Sequence, residues 1–165
     1  MACTNQSSDS SESSTPTAEE ILGNPEYQAI SYSGYRGITR DIQPTIPELK
    51  EDMKILHALG IRFLRTYNVH LPHSTNVLKA IRELKEEDSS FEMYVMLGAW
   101  IDAKNSWTDE PDRIRDENAP RNEVEIARAA ELANEYPDIV KVIAVGNLFF
   151  KSAHGAFPFC RVFGQ

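Results

Sequence analysis

Strand-like and helix-like stretches alternate along this chain at intervals of roughly 30 residues, and few folds accept that pattern. Residues 29–36, AISYSGYR, set Ile30, Tyr32 and Tyr35 in a β-favouring run that stops at Gly37. Thr45, with Glu48 three positions on, forms a capping box for a helix whose apolar stripe is Leu49, Met53, Leu56 and Leu59, closed by Gly60. IRFLRTY (61–67) follows at once as a second strand. Ser74 is the expected cap of a second helix bearing Val77, Leu78, Ile81 and Leu84. FEMYVMLGAW (91–100) is apolar on both faces, as a parallel strand covered on both sides must be. A polar loop runs from Ile101 to about Arg121. Asn122 and Glu125 then read as a second capping box, for a helix with Val124, Ile126, Ala129, Ala130 and Ala133 that ends before Pro137. KVIAVGN (141–147) is the fourth strand.

Strands separated by helices must be parallel, joined by right-handed crossovers. Two α/β architectures meet that demand: a doubly wound sheet and a (β/α)8 barrel. The first usually carries a Gly-rich phosphate turn after its first strand. Here Gly34-Tyr35-Arg36-Gly37 lacks the spacing and is followed by Ile38-Thr39 rather than a helix. The expected fold is therefore a partial (β/α)8 TIM barrel over residues 26–147, with about four strands and three helices.

Composition narrows the partners. A net charge of −8 disfavours nucleic acid and anionic membrane surfaces, both of which call for clustered Lys and Arg. No apolar run approaches the ~20 residues of a membrane-spanning helix. His70 and His73 stand three apart across Pro72, and Cys3 and Cys160 lie near opposite ends, so neither pair suggests a metal site. No metal and no cofactor is expected. Residues 1–25 are expected to be a disordered tether, since 4–18 hold nine Ser or Thr and one apolar residue, Ala18. Met1-Ala2-Cys3 before that tether has two readings. It is either the remnant of a lipoprotein signal, with Cys3 as the lipidation site and a start codon upstream, or a plain disordered N-terminus.

Barrel enzymes gather their active sites at the C-terminal ends of the strands. Read there, ISYSGYR (30–36), LRTYN (64–68), VMLGAWID (95–102) and VIAVGN (142–147) together resemble glycoside hydrolase family 17, the β-1,3-glucanases and related β-glucan transglycosylases, over about 120 residues. The resemblance implies a retaining β-glucan hydrolase, secreted or on the cell surface, with β-glucan as its partner. Arg65 on a barrel strand needs either a carboxylate or sugar hydroxyls. Tyr32, Tyr67 and Trp100 at strand ends either stack on sugar rings or pack in the core. Asp102 either meets a hydroxyl or is a solvated loop acid, and Trp107 in the same loop is a candidate outer platform. For Asn147 the resemblance implies a hydrogen bond to the sugar 2-hydroxyl that strengthens in the transition state.

The family pattern continues Val-Gly-Asn-Glu, the Glu being the general acid/base. Position 148 is Leu, which neither gives nor takes a proton. Residues 148–165 hold five of the chain's seven Phe and none of its 25 acids, a break in composition that reads as a frameshift or truncation product or as a divergent tail. The expectation is an inactive partial hydrolase. The alternative is a non-catalytic carbohydrate-binding surface lipoprotein.

Overall fold

The computed structural model of the chain describes residues 15–106 and 114–146. Along them run α1 (Ala18–Ile21), β1 (Gln28–Ser31), α2 (Ile46–Ala58), β2 (Ile61–Arg65), α3 (Pro72–Glu87), β3 (Tyr94–Ala99), β4 (Ala103–Lys104), β5 (Ile114–Asn118), α4 (Arg121–Glu135) and β6 (Val140–Val145). Strands β1, β2, β3 and β6 form one sheet in that order, and every pairing is parallel. Each new strand joins the same edge. A doubly wound sheet reverses direction at its switch point, so a one-way order is an arc of a barrel. This is a partial (β/α)8 barrel.

Helices line one face of the arc. Leu64, Val95, Leu97 and Ala99 meet Leu49 and Met53 of α2, Val77, Leu78, Ile81 and Leu84 of α3, and Ala129 and Leu132 of α4 in one buried cluster. Fully burying each large aliphatic there is worth roughly 1.5–3 kcal/mol. The opposite face, the barrel interior, packs Phe63, Tyr94 and Val142 against Ile21. That contact corrects the expected tether. Thr17 and Glu20 form a capping box for α1, and Ile21, 2% exposed, seals the interior. Order therefore begins before residue 26; residues 1–14, Cys3 among them, lie outside the described residues.

Helix α2 starts as its sequence predicts. The Glu48 amide donates to Thr45 Oγ1 and the Thr45 amide donates to Glu48 Oε2 at 2.8 Å. Leu59, however, is the 69%-exposed C-cap rather than part of the buried stripe. Helix α3 begins earlier than expected, with Leu71 as its N-cap and Pro72 in the first turn, where a missing N–H costs nothing. Ser74 lies inside the helix, buried, its Oγ donating to the Asn68 carbonyl. Helix α4 has no side-chain cap, because Asn122 and Glu125 are turned inward and used elsewhere. Val124 and Ile126 are 70% and 46% exposed, off the buried face.

β1 is shorter than its sequence suggests because the chain turns at Gly34, φ +66°. A Cβ there would stand 2.4 Å from Tyr32 Oη, so only glycine fits. Within the expected loop 101–121, β4 and β5 pair antiparallel.

The outer edges of β1 and β6 have no partner strand among the described residues. Beside β6 lies an apolar groove lined by Ala99, Ile126, Ala130, Ala133, Ile143 and Val145. Open edges of this kind template further pairing. The 165-residue polypeptide should therefore self-associate, its mean mass in sedimentation velocity rising with concentration. A monomer at every concentration, with a sharp cooperative melt, would contradict this.

Candidate functional site

The C-terminal ends of the four strands lie at one end of the arc, and the expected site residues are distributed around it unequally. Tyr32 follows β1, its amide bonded to the Arg65 carbonyl at 2.9 Å. Its ring faces the helices. The hydroxyl donates to Asp52 of α2 at 2.6 Å, and Arg36 grips the same carboxylate with two bonds of 2.9 and 2.8 Å. Burial, then the Asp52 contact, pushes the Tyr32 hydroxyl well above the usual tyrosine range. Tyr32 therefore fastens the turn after β1 to α2.

Arg65 ends β2 in register with Ser31 and Met96, on the interior face it shares by alternation with Phe63, and is half-buried. Tyr67, half-buried, follows it. Trp100 caps β3, half-buried, with its indole N–H donating to Asp102 at 2.9 Å.

Asp102 is no solvated loop acid. Its side chain is 1% exposed and ion-paired with Arg121 of α4, whose own side chain is 53% exposed. The Asp102 backbone is held as well: its N–H donates to Asn122 Oδ1 at 3.0 Å, and Asn122 Nδ2 donates back to its carbonyl at 2.7 Å. One turn on, Glu125 is 3% exposed in its side chain. It accepts the Val69 amide at 2.7 Å and the Trp100 amide at 3.0 Å, and pairs with His70 Nδ1 at 3.0 Å. Arg121, Asn122 and Glu125 thus tie down the loops after β2 and β3. Sequence reasoning missed this role, because Asn122 with Glu125 carries the same local signature as a capping box.

His70 and His73 do not converge. His70 is turned to Glu125, while His73 is buried with its ring 5.8 Å from that of Tyr32 and 5.3 Å from that of Tyr35. Among the described residues no group of three His, Cys, Asp or Glu could hold a metal, and no helix is long and apolar enough to cross a membrane. Asn147, Leu148 and Trp107 lie outside the described residues.

Comparison with known proteins supplies what the geometry alone does not. No protein-family model and no curated protein matches the chain. Among solved structures, the crystal structure of an endo-laminarinase from Formosa Hel1_33_131 matches at 63% identity and a TM-score of 0.80, over 86% of this chain. The chain carries part of a glycoside hydrolase family 17 barrel. It spans 36% of the length of that laminarinase chain. In this partial family 17 barrel, Arg65, Tyr67, Trp100 and Asp102 come from neighbouring strand ends, whereas Tyr32 belongs to the helix side.

Buried His73 gives the fold a pH signature. Burial first, and the charge of Arg40 second, hold its pKa down at about 4, against an ordinary value of 6.5. The unfolded chain therefore takes up a proton below pH 6.5 that the folded chain refuses until pH 4. The contribution of His73 to stability is complete above 6.5, falls as pH drops between the two values, and is gone below 4, a loss on the order of 3 kcal/mol. Denaturant titrations should show this slope in the native chain and not in His73→Phe. Identical slopes would contradict the burial of a neutral imidazole.

Proposed function

We propose that this chain supplies the first half of a β-1,3-glucan-binding cleft, with the ends of β2 and β3 forming one wall. The observation that carries the reading is Trp100. Its indole is fixed by Asp102 at the end of a barrel strand, in a chain 63% identical to an endo-laminarinase. A sugar ring presents axial C–H groups to which an aromatic face is complementary, and a ring already held loses little freedom on binding. Arg65 offers a rigid fork of donors to hydroxyls, and Tyr67 a hydroxyl and a face beside it. Asn147, one residue past Gly146, is assigned the 2-hydroxyl.

Chemistry is a separate matter. Retaining hydrolysis needs one carboxyl group to protonate the leaving oxygen and a second, about 5–5.5 Å away, to attack the anomeric carbon. The acids that reach the described strand ends are Asp102, in the loop after β3, and Glu125 of α4. The first is engaged by Arg121 and Trp100, the second by two backbone amides and His70. Position 148, where the acid/base is expected, is Leu. These features favour binding without turnover in this polypeptide. Cys3 followed by a Ser/Thr-rich run supports lipid attachment at that thiol and a role at the cell surface.

Two measurements test the reading. Laminari-oligosaccharides titrated into the chain should quench its tryptophan fluorescence saturably, and Trp100→Ala should weaken binding about tenfold, or ~1.4 kcal/mol. Incubation with laminarin should release no reducing sugar. Binding unaffected by Trp100→Ala would overturn the assigned wall, and sugar release above a Leu148→Ala control would overturn the binding-only reading.

A further inference from the structure

We infer that Glu125 is a positioning residue that couples the loop after β2 to the loop after β3, setting the side chains of both as one unit. The inference takes its consequence for sugar binding from the function proposed above, while its geometry stands on its own. Glu125 belongs to α4, in the helical layer, yet three bonds from two loops end on its one carboxylate. Oε1 accepts both backbone amides, Val69 from the first loop and Trp100 from the second, and Oε2 pairs with His70 Nδ1. Val69 stands two residues past Tyr67, and the Trp100 amide belongs to the platform residue itself.

The neighbouring contacts separate what Glu125 does from what its surroundings do. Asn122, three residues earlier on the same helix face, holds the second loop at Asp102 through both of its amide atoms. The first loop has its own anchor, the Ser74 hydroxyl on the Asn68 carbonyl. Without Glu125 the first loop keeps Ser74 and the second keeps Asn122 and Arg121, but the carboxylate that joins Val69 to Trp100 is gone. A buried carboxylate is retained at such a point because two amide donors aimed at one spot need an acceptor with spare lone pairs. Glutamine keeps that acceptor: its Oε1 can take both amides while its NH2 group faces the His70 ring. Aspartate keeps the charge but falls short by one methylene. Alanine removes everything.

Hydrogen exchange by mass spectrometry on the full 165-residue chain tests this directly, with laminari-oligosaccharide binding as a second arm. In Glu125→Ala and Glu125→Asp, peptides spanning 66–71 and 98–103 should both exchange at least tenfold faster, while α3 peptides within 76–84 keep their rates. Glu125→Gln should remain within about threefold of the native chain in both loops. Oligosaccharide affinity should follow the same order, falling about tenfold with Ala and Asp and little with Gln. If Glu125→Ala does not fold, Glu125→Asp decides. Acceleration in one loop alone, equal acceleration in α3, or a Gln variant as disturbed as the Ala variant would overturn the inference. A native chain that binds no oligosaccharide would defeat the proposed function, and the exchange rates would still decide the role of Glu125.

Discussion

Parallel pairing governs this molecule. Parallel strands cannot be joined by tight hairpins, so each step from β1 to β2, β3 and β6 requires a crossover. The right-handedness of those crossovers puts α2, α3 and α4 on one side of the sheet. From that follow the two unlike faces of the arc. One is a dense aliphatic layer centred on Leu64, Val95 and Leu97, and the other an interior face closed at Phe63, Tyr94 and Val142 by Ile21. It also follows that all four C-terminal strand ends come to the same end, which is why residues far apart in the chain, such as Arg65 and Trp100, come from adjoining strand ends.

What the crossovers leave undetermined is the conformation of the loops at that end. The N-terminal end of α4 supplies it. Arg121, Asn122 and Glu125 reach from the outer layer to Asp102, Trp100 and Val69 with charged or amide groups that are satisfied on arrival. Buried charges are costly unless paired and bonded in full, so such groups persist where they fix a geometry that apolar packing would leave loose. Asp52 plays a similar part at the first strand, where Tyr32 and Arg36 meet on its carboxylate.

The fold was legible in the sequence to the extent that its signals are local. The strand and helix alternation gave the parallel sheet, and Thr45 with Glu48 gave the start of α2, because a capping box is formed by residues three apart. The same logic misplaced Ser74 and Asn122, whose side chains have better partners elsewhere: the Asn68 carbonyl and the Asp102 backbone. Pro72, between two histidines, starts a helix, since the first turn needs no N–H from it. Helix α1 was hidden by the Ser/Thr-rich run before it, and Ile21 finds its apolar partners some 40 or more positions away. At the candidate site, strand-end position singled out Arg65, Tyr67 and Trp100 as candidates, but not which way a side chain faces: Tyr32, one residue past β1, turns to the helices. Asp102 read as either a hydroxyl partner or a solvated acid, because Arg121, with which it pairs, lies across a loop whose course the sequence does not reveal.

The proposed wall of a glucan cleft is formed by the ends of β2 and β3 in this partial family 17 barrel. Hydroxyl-radical footprinting, read by mass spectrometry with and without laminari-oligosaccharide, tests it most directly. Tyr67 and Trp100 should be protected by the sugar, while Tyr27, which packs on Tyr94 before β1, should be labelled equally in both conditions. Protection of Tyr27 with Trp100 unchanged would place the sugar at the wrong end of the sheet and contradict the account.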